Sequence, residues 1–299
     1  MVDIREILCP IDFSATSRHA LEHAVLSARW YGARLTAVHV VHAPLFAQPP
    51  IIAVGFAEAT SPASPDRRAL KQELREWLLP ADRAGIATDV IVDDGDAAAL
   101  ILEHAGSRKA DLIVMGTHGL SGFERFMLGS VAEKVLRKAR APVMTVPPAA
   151  TSAARVPYTH LLCAVDFSES SLAACHFAVS LAKEADAHLT LLHVLDWPPD
   201  DELLTEQLNE PEFRRLVEDR ARTRLDALLT EDIRVWCKPK TRVACGKPYQ
   251  QILEAADRDR ADLIVMGVRG RNVLDLTLFG STTNQVVRRA ACPVLTLKQ

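Results

Sequence analysis

Two glycine-containing segments of identical spacing hold the residues most able to do chemistry in this chain. The first reads Met-Gly-Thr-His-Gly at 115–119 and ends, nine residues later, with Gly-Ser at 129–130. The second reads Met-Gly-Val-Arg-Gly at 266–270 and ends, nine residues later, with Gly-Ser at 280–281. Each follows a short apolar run and precedes an amphipathic run, which is the pattern of a buried strand, a glycine loop and a helix start.

A loop of this kind is suited to binding phosphate. It brings backbone N–H groups and the positive end of a helix dipole to one place. Glycine permits positive φ and a close approach of the backbone to a ligand. We place each serine at a helix N-cap, where its hydroxyl either caps the helix or binds a phosphate oxygen. One such loop is weak evidence, but two copies at the same spacing are a strong signal.

The segments that position these loops also occur twice. The run 7–11 with Asp-Phe-Ser at 12–14, and the run 35–40, recur at an offset of 154 residues. Gly95 and the first glycine segment recur at an offset of 151, as Gly246 and the second glycine segment. A repeat of a whole domain explains these offsets. We predict domains at 1–146 and 158–299, joined by a Pro- and Ala-rich linker at 147–157.

Hydrophobic periodicity predicts strands that alternate with helices in each half. In the first half we predict strands at 7–11, 35–41, 87–92, 111–115 and 143–146, and helices at 14–31, 66–84, 97–104 and 131–140. The segment 43–65 is predicted to be a loop. The second half repeats this order, with a loop at 198–211, a helix at 213–229 and a third strand near 241–244.

This alternation predicts an α/β fold in which a parallel sheet is covered by helices on both faces. In such sheets ligands bind beyond the carboxyl ends of the strands, where the strand order reverses. Asp12 and Gly116 each follow a predicted strand, as do Asp166 and Gly267. The acid and the phosphate loop of each half are therefore expected at the same sheet edge.

Composition narrows the function classes. The 299 residues are 48% hydrophobic and 24% charged, with a formal net charge of −3, so charge gives no case for a nucleic acid or an anionic membrane as partner. No secretory signal or membrane-spanning run is visible, which makes the cytoplasm the expected compartment. The six cysteines form no C-x-x-C pair and are interpreted as buried, reduced residues rather than as zinc ligands or redox centres.

These motifs resemble those of the universal stress protein family in its tandem form, and the resemblance covers both halves. It implies two Rossmann-like domains, each a five-stranded parallel sheet of order 3-2-1-4-5 that binds adenine nucleotide. The nucleotide implied is ATP, or ADP or AMP, with or without Mg²⁺. In the family's nucleotide-binding members the aspartate after strand one lies on the adenine side. Backbone at the end of strand two touches the base, and the glycine loop holds ribose and phosphates.

The resemblance assigns a set of binding residues to each domain. In the first domain the set is Asp12, Val40, Gly116, His118, Gly119, Gly129 and Ser130. In the second it is Asp166, Val194, Gly267, Arg269, Gly270, Gly280, Ser281 and Thr282. Arg269 stands where the first domain has His118, and Ala132 stands where the second has Thr283, so the two sites need not bind with equal affinity.

Each of these residues also has a purely structural interpretation. Asp12 and Asp166 could cap the following helix. His39 and His193, which recur at the end of strand two, fit a packed and hydrogen-bonded role. His118 could be a solvent-exposed loop residue. Arg125, Arg271 and Lys247 could be ordinary surface charges.

We expect a stress-response regulatory or sensing protein that is not an enzyme. The alternatives are a slow ATPase or phosphotransferase, and an interaction scaffold that does not depend on nucleotide. Against catalysis, the loops lack the P-loop lysine, and no pair of acids near them is evident to hold Mg²⁺. The physiological nucleotide, the occupancy of both sites and the regulatory protein partner stay open.

The fifth strand of each domain is expected to pair with the other. Residues 143–146 and 294–297 are apolar and, in the family order, form an edge that needs a cover. The linker keeps the second domain close, which favours pairing within one chain. We therefore predict an internal pseudo-dimer about a pseudo-twofold axis, and the sequence leaves a homodimer of whole chains undecided.

Overall fold

The computed structural model describes residues 3–41, 66–117, 128–148, 150, 157–196, 210–237, 239–268 and 280–298. The first half contains β1 (Glu6–Pro10), α1 (Ala15–Tyr31), β2 (Arg34–Val41), α2 (Arg67–Arg83), β3 (Thr88–Asp94), α3 (Ala97–Ser107), β4 (Leu112–Gly116), α4 (Ser130–Lys138) and β5 (Val143–Val146). The second half contains β6 (His160–Ala164), α5 (Glu169–Ala185), β7 (His188–Leu195), α6 (Pro211–Asp226), α7 (Glu231–Cys237), β8 (Lys240–Cys245), α8 (Pro248–Asp259), β9 (Leu263–Gly267), α9 (Ser281–Arg289) and β10 (Val294–Leu297). The predicted loop at 43–65 and most of the segments 147–157 and 198–211 lie outside the described residues.

Most predicted elements are present at nearly the predicted bounds. A short helix that was not predicted, α7, precedes the third strand of the second half. Strand β3 continues two residues further than predicted, to Asp94, and helix α3 three residues further, to Ser107. Helix α6 begins two residues earlier and ends three residues earlier than predicted. Helix α1 illustrates how local signals set an element. The Ser14 side chain accepts a hydrogen bond from the Ser17 N–H at its start, and Gly32 ends it at φ 66°.

All ten strands form one sheet, in the order β3-β2-β1-β4-β5-β10-β9-β6-β7-β8. Strands within each half are parallel, and each half has the predicted order 3-2-1-4-5. Strands β5 and β10 pair antiparallel at the centre, as expected for the internal pseudo-dimer. Because they run in opposite directions, the carboxyl ends of the strands lie at opposite edges of the sheet in the two halves.

The pairing of β5 with β10 is symmetric about one residue pair. Met144 pairs with Leu295, which is its equivalent at an offset of 151 residues. On either side, the Thr145 hydroxyl donates to the Val294 carbonyl and the Thr296 hydroxyl donates to the Val143 carbonyl, both at 3.2 Å. The pseudo-twofold axis therefore passes through the pair Met144–Leu295.

Two apolar cores lie on the two faces of the sheet, and each extends through both halves. One core lies under α1, α2, α5 and α6, and it includes Leu35, Leu74, Leu161 and Leu191. The other lies under α3, α4, α8 and α9, and it includes Leu8, Ile113 and Ile264. The shared cores and the shared sheet make the two halves one packed body.

In each half an aspartate just before the fourth strand binds the backbone at the start of the first strand. The Asp111 carboxylate accepts hydrogen bonds from the backbone N–H groups of Arg5 and Glu6, at 2.8 and 3.0 Å. Asp262 accepts in the same way from the N–H groups of Thr159 and His160. These bonds set the register of the strands that carry the candidate site.

Candidate functional site

A cavity of about 150 Å³ opens at the carboxyl edge of the first half, between β1 and β4, where the strand order reverses. It is lined by Pro10, Ile11, Asp12, Ser17, Val38, Val40, Ala97, Ile101, Met115, Gly116, Thr117, Gly129, Ser130, Val131 and Ala132. Five residues assigned from the sequence thus lie around one cavity: Asp12, Val40, Gly116, Gly129 and Ser130. His118 and Gly119 lie outside the described residues.

Asp12 supports the helix cap and is not the cap itself. Its Oδ1 accepts hydrogen bonds from the Ser14 N–H at 3.0 Å and from the Ser14 hydroxyl at 2.5 Å. Ser14 is the N-cap of α1. Asp166 and Ser168 repeat the arrangement, at 2.9 and 2.5 Å. Each aspartate therefore orients the turn between strand one and helix one.

The phenylalanine after each aspartate belongs to the same turn, and the sequence analysis assigned it no role. Phe13 and Phe167 have φ of 62° and 63°, in the left-handed region that a residue with a Cβ adopts only at a steric penalty of about 1–2 kcal/mol. Each ring lies on a histidine, with centroids 4.7 Å apart for Phe13–His39 and 4.8 Å for Phe167–His193. The available signal was the repetition of Asp-Phe-Ser and of this histidine at one offset.

The two histidines hold the turn, as their structural interpretation predicts. The Nδ1 atom of His39 lies 2.7 Å from the Ile11 carbonyl oxygen, and that of His193 lies 2.7 Å from the Val165 carbonyl oxygen. Because a carbonyl oxygen only accepts, Nδ1 must carry the proton in both rings. The imidazoles thereby fix the strand end next to each aspartate.

Gly116 and Gly267 are required by packing between strand and helix. A Cβ at Gly116 would lie 2.8 Å from Thr16 Cγ2, and one at Gly267 would lie 2.5 Å from Ser170 Oγ. Such contacts are too short for any real Cβ. Glycine at these positions therefore lets the fourth strand of each half approach the start of its first helix closely.

In each half a hydrogen bond joins the two ends of the glycine loop, and a glycine, not the serine, is the N-cap of the helix that follows. The Gly129 N–H donates to the Thr117 carbonyl at 2.8 Å, and the Gly280 N–H donates to the Val268 carbonyl at 3.2 Å. Gly129 and Gly280 are themselves the N-caps, with φ of −59° and −57° and no side-chain cap. The prediction of a serine N-cap was wrong by one residue, and these two glycines do not use positive φ.

The first turn of α4 is consequently suited to an anion. Ser130 is its first residue and is exposed, and no side chain caps the N–H groups of that turn. Unsatisfied N–H groups and the helix dipole favour negative charge at such a start. The cavity therefore has an apolar floor on the sheet and, at α4, a helix start without a side-chain cap.

The second half repeats this arrangement with differences. Asp166, Val194, Gly267, Gly280, Ser281 and Thr282 occupy the equivalent positions at the opposite sheet edge, whereas Arg269 and Gly270 lie outside the described residues. Gly267 and Gly280 are buried, although Gly116 and Gly129 are only half-buried. The Thr283 hydroxyl donates to the Gly267 carbonyl at 2.9 Å, a bond that Ala132 cannot make in the first half.

The described residues contain no group of three or more His, Cys, Asp or Glu side chains arranged to hold a metal ion. The five cysteines whose side chains are described are free, and burial raises the pKa of the Cys9 thiol. Cys9, Cys163 and Cys175 are buried as predicted, whereas Cys292 is only partly buried and Cys245 is exposed, so the prediction of buried cysteines was wrong for Cys245. In the described part of the chain no helix is long and apolar enough to cross a membrane.

Comparison with known proteins agrees with this fold. The family model described as the universal stress protein family matches residues 3–147 and again 157–298. A universal stress protein of Methanocaldococcus jannaschii is 38% identical over 146 residues, which are 48% of this chain and 81% of the relative. One of Mycolicibacterium smegmatis is 27% identical over 305 residues, covering 98% of this chain and 96% of the relative.

A solved structure shows the same fold over the whole length. The universal stress protein of Archaeoglobus fulgidus superposes with a TM-score of 0.64 at 23% identity, covering 98% of this chain and 96% of that chain. The two matches of the family model cover nearly the whole chain. This chain therefore belongs to the universal stress protein family, as a tandem of two such domains.

Proposed function

We propose that the chain binds an adenine nucleotide, ATP first among the candidates, in each half and acts as a stress-response regulatory or sensing protein. The observation that carries this proposal is the cavity of the first half, whose apolar floor meets the uncapped first turn of α4. An apolar base fits the first feature, and a phosphate fits the second. At about 150 Å³ the cavity fits the base end, with the phosphates at Gly129 and Ser130.

The proposal gives each site residue one role. The carboxylate of Asp12 or Asp166 and the backbone of Val40 or Val194 contact adenosine. Ribose and phosphates bind at Gly116, Gly129 and Ser130 in the first half, and at Gly267, Gly280, Ser281 and Thr282 in the second. The residues His118, Gly119, Arg269 and Gly270 keep their sequence-based assignment to the same loops.

Regulation fits this site better than catalysis. Phosphoryl transfer requires a positioned nucleophile and metal ions that neutralise the developing charge. The loops lack the P-loop lysine. The free cysteines of the described residues are consistent with a reducing compartment, so we propose that the protein works in the cytoplasm. A regulatory protein partner would then recognise the filled or the empty form.

Titration calorimetry with separate site variants tests the binding proposal. Val40 is half-buried on the lip of the first cavity, so Val40→Trp should fill that cavity and abolish binding there. Val194→Trp should do the same in the second half. Gly106→Ala is the matched control, because a Cβ at Gly106 meets nothing within 4 Å. Heat with ATP, ADP, AMP or cyclic AMP, halved by either Trp variant, supports the proposal, whereas no heat from folded protein refutes it.

Phosphate release under excess ATP and Mg²⁺ tests the rival enzyme. We expect turnover well below the ordinary enzymatic range of about 1 s⁻¹ or more. Turnover in that range, lost in Val40→Trp or Val194→Trp, would replace the regulatory function with catalysis. Such a result would leave the nucleotide site itself in place.

A further inference from the structure

The two candidate sites carry opposite charges at one equivalent position. Gly95 and Gly246 occupy the same turn, with φ of 150° and 138°, and their N–H groups donate to the carbonyl oxygens of Val41 and Leu195. The next residue is Asp96 in the first half and Lys247 in the second. Each is the N-cap of the helix that follows, α3 or α8. An acid thus stands beside one site where a base stands beside the other.

This position lies beside the proposed nucleotide site. The helix that Asp96 caps contributes Ala97 and Ile101 to the cavity that Gly129 and Ser130 also line. An ion pair of 3.3 Å between Lys134 Nζ and Asp96 Oδ2 joins α4 to the start of α3. The charge at position 96 therefore lies within ion-pair distance of α4, the helix at whose start we place the phosphates.

The neighbouring positions add to the difference. In the first half, Glu133 belongs to the first turn of α4 and Lys134 follows it, and their equivalents in the second half are the uncharged Asn284 and Gln285. Among the described residues around the helix starts, the first site therefore has two acids and one lysine, and the second site has one lysine and one acid, Asp196. Lys247 also pairs with Asp196 at 3.5 Å, at the end of β7, and both side chains are about half-exposed.

We infer that Asp96 and Lys247 set how much phosphate charge each site accepts. This inference rests on the proposed nucleotide binding. The first site, with its acid, favours adenine nucleotides with little phosphate charge, such as AMP or a cyclic monophosphate. The second site, with its lysine, favours the polyphosphate of ATP. One chain would then bind two adenine nucleotides of different charge at opposite edges of the sheet.

Screening decides how large the effect is. For charges about 10 Å apart in water, neutralising one protein charge changes the ATP-to-AMP affinity ratio roughly 1.5-fold at 0.15 M salt and roughly 3-fold at 0.01 M. Reversing the charge roughly squares these factors. The dependence on salt is therefore the signature of the effect, because a purely steric preference would not change with ionic strength.

Calorimetry with AMP and ATP, without Mg²⁺, at both salt concentrations tests the inference. The first site is measured in the Val194→Trp background and the second in the Val40→Trp background. Asp96→Asn keeps a good N-cap and should raise the ATP-to-AMP ratio of the first site roughly 3-fold at low salt. Lys247→Asn should lower that ratio at the second site by a similar factor. Asp96→Lys and Lys247→Asp should roughly double these effects on a logarithmic scale.

Lys138→Gln is the control for a general change in net charge. It removes a cation at the far end of α4, so it should change the ATP-to-AMP affinity ratio of either site less than the Asp96 and Lys247 variants do. The loops also differ at His118 and Arg269, so the variants within each site, and not the difference between sites, decide the assignment. Opposite, salt-dependent shifts support the inference. Nucleotide binding with unchanged ratios overturns it and leaves the proposed function standing, whereas binding of neither nucleotide refutes both.

Discussion

The end of β9 packs so closely on the start of α5 that a single methyl group has no room between them. A Cβ at Gly267 would lie 2.5 Å from Ser170 Oγ, and 2.8 Å from both the Ser170 carbonyl carbon and the Ser171 nitrogen. Two of these atoms belong to the backbone and cannot rotate away. In Gly267→Ala the strand and the helix must therefore move apart.

The equivalent change in the first half should be milder. A Cβ at Gly116 would lie 2.8 Å from the Cγ2 of Thr16 and 3.2 Å from its backbone C and O atoms. A side-chain methyl can rotate, and the backbone needs to shift by only a few tenths of an ångström. Overpacking typically destabilises by about 1–3 kcal/mol. We expect Gly116→Ala to lower the free energy of unfolding by about 1 kcal/mol and Gly267→Ala to lower it by about 3 kcal/mol.

Thermal unfolding followed by circular dichroism, together with urea titration, measures both changes. At roughly 2 °C per kcal/mol for a chain of this size, Tm should fall by about 2 °C in Gly116→Ala and about 6 °C in Gly267→Ala. Gly106→Ala, inside α3 with open space around its Cβ, should instead stabilise by about 0.5–1 kcal/mol. A Gly267→Ala protein as stable as Gly116→Ala would refute this account of the strand–helix contact.

Three further predictions concern the centre of the molecule. Met144→Cys with Leu295→Cys should form a disulfide within one chain, because the two residues are paired across β5 and β10; non-reducing gel electrophoresis and mass measurement detect it. Thr145→Val with Thr296→Val should lower the free energy of unfolding by about 1–2 kcal/mol in urea titration, because each change removes a hydrogen bond between the halves. Burial, and then the nearby charge of His19, lowers the pKa of His23 to about 4. The free energy of unfolding should therefore fall as the pH drops from about 6.5 to 4. In His23→Leu the part of this loss between pH 7 and pH 4.5 should be smaller by about 2–3 kcal/mol.

Each of these predictions has a result that contradicts it. Val143→Cys with Val294→Cys lies two positions out of register, at about 7–8 Å between Cα atoms, and should cross-link poorly; equal yields in both pairs would contradict the observed register. Full stability of the double valine variant would show that the threonine hydroxyls do not hold the halves together. The sign of the His23 effect follows from a neutral folded form, since protons then bind more readily to the unfolded chain. If the stability of His23→Leu depends on pH as that of the unchanged chain does, then groups other than His23 cause that pH dependence.

Local signals explain why much of the fold was predictable. Helix α1 begins and ends as predicted because Ser14 caps it and Gly32 accepts the left-handed conformation. Strand β5 has the predicted bounds because Pro142 precedes a short apolar run and Pro147 follows it. The pairing of β5 with β10 followed from the need to cover an apolar edge.

The remaining features depend on contacts between distant segments. Gly129 became the N-cap because its N–H bonds to the Thr117 carbonyl across the loop, which no local pattern reveals. The reason for glycine at 116 lies in the packing of α1, about 100 residues earlier in the chain. Strand β3 runs on to Asp94 because an edge strand tolerates charged residues, which a search for apolar runs misses.

The antiparallel pairing of β5 with β10 also determines when the chain can finish folding during synthesis. Strand β5 is complete at Val146, but its partner begins only at Val294, about 150 residues later. At about 5–20 residues per second a ribosome needs roughly 7–30 s to make that length. Throughout this interval the first domain presents the open, apolar edge Val-Met-Thr-Val, on which a neighbouring nascent chain can add a strand. We therefore expect the yield of native protein to depend on how quickly the second half is translated.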